Sequence, residues 1–196
     1  MHDNPAGFAL MWVAMTLVMM VPTVLRPLAR ISRGSSGRAT AFLLGYLACW
    51  LLAGIPAFAL TSIAMGSTVA LLACWGLVGI WQVLPSTTAM LRKCQGLKAE
   101  HAAVVLGLRQ GTWCVGSCWL LMVATMATLD RFGLPLAAGI GVMAAVAGFI
   151  MWQKSPRASG RAIRMAGVAV IVATVVLYAT GIGGSGAMHD MTTLPL

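Results

Sequence analysis

The residues with the most distinctive chemistry in this chain are its sulfurs. Cys114, Cys118, Met122 and Met126 follow one another in steps of four residues. On a helix each such step rises about 6 Å and turns about 40° past a full revolution. Neighbours therefore share a face, and the ladder winds over roughly 18 Å. Met11, Met15 and Met19 repeat the spacing, with Met20 alongside. Thiolate and thioether are soft donors that select Cu(I), whereas a hard ion such as Mg²⁺ needs oxygens that these segments lack. The competing reading is packing, because Met fills gaps in cores and buried Cys behaves as a small hydrophobe. The tails hold a second set: Met188-His189-Asp190-Met191 after a glycine-rich stretch at 181–186, and Met1-His2-Asp3 at the start. His189, Met188, Met191 and His2 together suit copper in either oxidation state. The competing reading there is a mobile tail whose histidine binds nothing. His101, beside Glu100, reads as a headgroup-level residue rather than a ligand.

Other chemistries find little support. The sequence has no phosphate-cradling loop, no Gly-x-Ser-x-Gly and no His-Glu-x-x-His. Its four acids, Asp3, Glu100, Asp130 and Asp190, all fall outside the apolar runs. An enzyme is therefore not expected. A proton-coupled transporter, which usually keeps an ionisable group inside the membrane, is disfavoured.

The elements that must position the sulfurs follow from composition. Of 196 residues 60% are hydrophobic and 9% charged, against about 25% charged in a soluble domain. Six segments approach the roughly 20 apolar residues of a membrane span: 8–25, 39–60, 67–85, 111–129, 133–152 and 165–182. The expected architecture is an all-α membrane protein, a single-domain six-helix bundle with short tails at 1–7 and 183–196. Residues 101–110 read as the opening turns of the fourth helix. The first apolar run has no basic stretch ahead of it and reads as a retained span rather than a cleaved signal.

The net charge of +9 would suggest nucleic acid in a soluble protein. Here the basic residues lie between apolar runs and read as topology and lipid-phosphate contact. Arg26, Arg30, Arg33 and Arg38 fill the first loop, Arg92, Lys93 and Lys98 the third, and Lys154, Arg157, Arg161 and Arg164 the fifth. The second loop has none, and the fourth has only Arg131, beside Asp130. Basic loops stay cytoplasmic, so both termini are expected outside the bacterial inner membrane. The first and fourth spans then run antiparallel, with Met11 and Met126 toward the outside and Met19 and Cys118 deeper. Small residues on the fifth span, including Gly133, Ala137, Gly139 and Gly141, offer a close-packing surface. The seven tryptophans suit interfacial belts. Trp12 and Trp119, next to the sulfurs, also suit a collar that keeps water off a site.

Several stretches carry a family likeness: Trp12-Val-Ala-Met15-Thr-Leu-Val-Met19-Met20-Val-Pro22, Gly45-Tyr46 with Trp50, Trp81-Gln82-Val-Leu-Pro85 followed by Leu91-Arg92-Lys93-Cys94, Gly107-Leu-Arg-Gln-Gly111 and Cys114-Val-Gly116-Ser117-Cys118-Trp119-Leu-Leu-Met122. Over its first four or five spans the chain resembles the bacterial predicted metal-binding integral membrane proteins, a family of unknown function. That family includes a protein associated with supplying copper to a tyrosinase-type polyphenol oxidase. The resemblance implies a membrane copper chaperone whose partner is an apo-cuproenzyme or a metallochaperone. The family's fourth-span motif reads Gly-Cys-Cys-Trp-x-Leu-Met. Ser117 stands here at the first paired cysteine, and Cys114 offers a thiol one turn earlier.

The combined expectation is a non-enzymatic Cu(I)-binding protein. Copper would pass from His189, Met188, Met191 and His2 to Met126, Met122, Cys118 and Cys114, with Met11, Met15 and Met19 facing them. Its partners would be the lipid bilayer and a cuproenzyme, not nucleic acid. Two alternatives use the same residues differently. A copper transporter would continue its ligands to the cytoplasmic face, where Cys94 lies. A metal-free assembly subunit would use the small-residue face of the fifth span to bind an oligomer or membrane-complex partner.

Overall fold

The structure, a computed structural model, describes residues 4–32, 34–95, 102–133, 135–155 and 157–180. Among these the chain is helical throughout, with no strand. The elements are α1 (Pro5–Met15), a π-helical turn (Thr16–Met20), α2 (Val21–Ser32), α3 (Ser36–Met65), α4 (Thr68–Val83), α5 (Pro85–Gln95), α6 (Ala103–Phe132), α7 (Leu136–Gln153) and α8 (Gly160–Ala179). Four rods are long and apolar enough to cross a membrane: Pro5–Ser32, Ser36–Met65, Ala103–Phe132 and Gly160–Ala179. α4 with the start of α5 makes a fifth if the pair, bent by 69°, is one span. α7 is apolar but shorter.

Local sequence explains the boundaries. Asn4 caps α1 by accepting from the Ala6 and Gly7 amides, with Pro5 at the first helical position. Ser67 and Ser159 cap α4 and α8 through the Ala70 and Ala162 amides. Gly133 closes α6 in the left-handed conformation, φ 52°. Inside the first rod, Pro22 cannot supply the next ladder amide, and its ring crowds the turn before it. That turn widens, and the Val21 amide reaches back five residues to the Thr16 carbonyl.

The central contact joins α3 to α6. It is a meeting of backbones. A Cβ on Gly107 would strike the Phe42 carbonyl, one on Gly45 the Val104 carbonyl, and one on Gly111 the Cys49 side chain at 2.8 Å. Gly107 and Gly111 form a Gly-x-x-x-Gly step, the spacing that lets membrane helices approach most closely. A second pair, α4 with α8, meets the same way at Gly79 and Gly167, where a Cβ on Gly167 would lie 2.8 Å from the Gly79 carbonyl oxygen. Among the described residues the small-residue face expected on the fifth span makes little contact: Gly141 has nothing within 4 Å of where a Cβ would sit, and Gly139 meets a Leu129 methyl at 3.9 Å.

α1 and α2 lie against α3, and α7 touches α6 and the π turn. The outward faces are also apolar, with Leu10, Val18 and Ile55 at least 70% exposed. Arg131, the exception to the loop pattern, donates to the Met65 carbonyl (2.9 Å) and Thr68 Oγ1 (3.0 Å). It therefore ties the end of α6 to the α3–α4 turn.

Candidate metal centre

The sulfurs expected on two helices are brought into one core. Met15, Met19, Cys118, Met122 and Cys114 are essentially inaccessible, Met126 is buried, and the partly buried Met11 packs against the same cluster. Met19 and Met20, both in the π turn, are both buried. The tail residues His2, Met188, His189 and Met191 lie outside the described residues.

Cys114 is where the elements converge. On α6, Gly107 and Gly111 draw the helix onto α3, which sets Tyr46 beside it. The Tyr46 hydroxyl lies 3.1 Å from Cys114 Sγ and 3.4 Å from the Met20 carbonyl. It thus spans the gap between α6 and the π turn. Lys154, just past α7, donates from Nζ to Cys114 Sγ at 2.7 Å and to Thr23 Oγ1 at 3.2 Å. One thiol is thereby linked directly to α3 and the end of α7, and through them to the π turn and α2. Cys118, one turn along, turns its Sγ back onto the Cys114 carbonyl at 2.9 Å. Ser117, at the paired-cysteine position, is buried and donates to the same carbonyl at 3.0 Å. Its hydroxyl serves the helix backbone.

The ladder also extends one step the other way. Gln110, four residues before Cys114, is buried and donates from Nε2 to the Cys94 carbonyl at 3.4 Å. Cys94 on α5 is itself buried and close enough to Cys114 and Lys154 to interact with them electrostatically. Behind it, Gln153 donates to Gln82 across α7 and α4 at 3.0 Å, both side chains buried. Polar groups in an apolar bundle are costly unless partnered, and these gather at one end of the sulfur ladder. Toward Met122 and Met126 the buried Thr125 donates its hydroxyl to the Leu121 carbonyl of its own helix at 2.7 Å.

Lys154, Tyr46, Thr23 and Gln110 are the site residues that sequence reasoning did not find. Lys154 read as one more basic loop residue, yet its side chain turns inward. Gln110 had a signal, the same four-residue spacing as the sulfurs. Lys154 had none, because its neighbours come from residues 23 and 114.

Trp12 and Trp119 staple helices together. Trp12 donates to the Trp50 carbonyl at 2.8 Å and Trp119 to the Ala53 carbonyl at 3.0 Å. These two indoles flank the sulfurs and tie α1 and α6 to the stretch of α3 that precedes Pro56. Gly54 leaves room for Trp12, whose ring would lie 2.8 Å from an added Cβ.

The buried thioethers of the first rod and α6 share one core with the thiols of Cys114 and Cys118. Among the described residues no three His, Cys, Asp or Glu side chains converge on a point. Thiols and thioethers are donors that fit a soft monovalent cation.

The copper chaperone family (PpoB2) matches residues 9–177. The chain belongs to that family. The match runs from α1 through α8 and includes Met11 through Met20, Tyr46, Cys94, the whole ladder and Lys154. No curated protein and no solved structure matches the chain.

Proposed function

We propose that this copper chaperone family member carries Cu(I) within the bilayer and delivers it to a cuproenzyme, without catalysing a reaction. The observation that carries the reading is the burial of both sulfur ladders in one core, ending on Cys114. Six membrane passes with both termini outside are part of the proposal, supported by the alternating basic loops and by the apolar outer faces. On this topology Met11 and Met126 face the outer leaflet, and copper enters there from the tail ligands His189, Met188, Met191 and His2. It then steps past Met122, Met15 and Met19 toward Cys118 and Cys114. Thioethers bind weakly and exchange readily, which suits transfer over storage.

At Cys114 the Lys154 ammonium already contacts the sulfur. Cu(I) binding to the Cys114 thiol releases the thiol proton, so one positive charge is exchanged for another. The buried site therefore gains little net charge, which matters because an unpaired charge in an apolar interior is expensive. Tyr46 holds the sulfur from the α3 side.

The deciding experiment is Cu(I) analysis of purified protein under reducing conditions, wild type against Cys114→Ser/Cys118→Ser. Loss of bound copper in the double variant is expected, and equal copper in both removes the α6 site. A second reading, export or import across the membrane, gains from the buried Cys94, which extends the sulfurs beyond Cys114 on α5. Copper accumulation in cells that depends on Cys94 favours transport. Delivery that is indifferent to Cys94 favours the chaperone.

A further inference from the structure

A groove of about 500 Å³ lies away from the sulfurs, lined by Arg26, Met151, Trp152, Ser155 and Arg157. We infer that it binds the phosphate headgroup of an anionic phospholipid. The fold makes this groove by joining distant parts of the chain: Arg26 lies on α2 just past the first apolar run, and the other four residues lie on or just past the end of α7. No carboxylate lines it among the described residues. Two exposed guanidiniums therefore face one cavity, and guanidinium forks match phosphate oxygens with paired hydrogen bonds.

The remaining walls suit a lipid better than a free anion. Met151 and Trp152 are 49% and 39% exposed, and Trp152 stacks on Phe149 at 5.8 Å. An apolar wall below two cations matches a molecule with a phosphate at one end and hydrocarbon at the other. Arg26 follows directly on the first apolar run and Arg157 comes five residues after the fifth, which places both near headgroup depth in a bilayer. Basic pockets between helices on the cytoplasmic side are where anionic headgroups bind. The turn that lines the groove also carries Lys154, so a headgroup seated there would steady the segment that reaches Cys114. The inference does not depend on copper.

The test compares wild type with Arg26→Gln/Arg157→Gln, and with Arg92→Gln/Arg161→Gln as a control of equal charge change. Each protein is equilibrated with vesicles of phosphatidylglycerol and phosphatidylcholine, extracted in mild detergent, and its retained lipid counted by native mass spectrometry. Wild type and control should retain phosphatidylglycerol over phosphatidylcholine, and the groove variant should lose about thirtyfold in that retention. Unchanged helicity by circular dichroism shows that the variant is folded. Equal retention by the groove variant, equal loss in the control, or no preference for the anionic lipid overturns the inference. Melting temperatures with millimolar inorganic phosphate, in detergent without lipid, distinguish the sources. A wild-type-specific rise with phosphate alone, matching that with phosphatidylglycerol, assigns the groove to a soluble anion and overturns the lipid.

Discussion

Substituting Gly107 by alanine tests the backbone contact on which the site rests. The new Cβ would stand 2.9 Å from the Phe42 carbonyl carbon and 3.0 Å from the Tyr46 nitrogen, closest of all to the Phe42 oxygen. Ordinary contact is 3.4–4 Å, and helix backbone cannot swing aside as a side chain can. α3 and α6 must part by at least about 1 Å to relieve the Phe42 oxygen, a gap that forfeits about half of the dispersion attraction at neighbouring contacts. Overpacking of this kind costs about 1–3 kcal/mol. Alanine returns up to about 1 kcal/mol through its helix preference, so the net loss is about 1–2 kcal/mol. Gly148→Ala on α7 is the control, because nothing lies within 4 Å of its Cβ position and only the helix preference remains. The two variants should therefore move in opposite directions. Reversible unfolding in mixed detergent–dodecyl sulfate micelles, followed by circular dichroism, measures both. A Gly107→Ala protein as stable as wild type, or a Gly148→Ala protein equally destabilised, would refute the reasoning. The variant should also bind Cu(I) more weakly, because parting the helices draws the Tyr46 hydroxyl away from Cys114, now 3.1 Å distant.

Three further outcomes follow from the site. Lys154→Gln should bind Cu(I) more tightly, since the apo protein loses a charged hydrogen bond that copper must break. Such bonds are worth about 1.5–3 kcal/mol, or roughly tenfold or more in a competition titration; weaker binding would show that Lys154 prepares the thiol instead of competing for it. Met19→Leu/Met122→Leu conserves volume and should cost less than about 1.5 kcal/mol per position in stability, yet lower copper transfer to an apo-acceptor. Unchanged transfer would return these methionines to a packing role. Cys94→Ser should leave copper stoichiometry intact if Cys114 and Cys118 form the inner site. Loss of metal with Cys94→Ser, measured by elemental analysis, would place a third thiol in it.

The two sulfur ladders were legible because a four-residue period is local information, and burial of that face follows once the helices pack. The packing itself was half-legible. Gly107 and Gly111 were visible as a motif, but the fifth span offered an equally good stripe that the chain leaves open at Gly141. Spacing shows which faces can approach closely and not which partner they meet. Two tryptophans show the same limit. An indole suits an interface by composition, whereas Trp12 and Trp119 found carbonyls on α3 only because Gly54 and the helix crossings made room.

The sequence by itself determined that this chain is helical, apolar on most faces and furnished with soft donors on two of its helices, since each of those properties is written in composition and short-range period. The tertiary structure alone decided which donor becomes the focus. Cys114 is singled out by Lys154, 40 residues later, and Tyr46, 68 residues earlier. The Met20 carbonyl of the widened turn before Pro22 receives the Tyr46 hydroxyl, 26 residues later. Contacts between residues so far apart depend on helix crossings, which no period along the chain specifies. A lysine in a basic loop therefore looks like any other until the fold turns it inward.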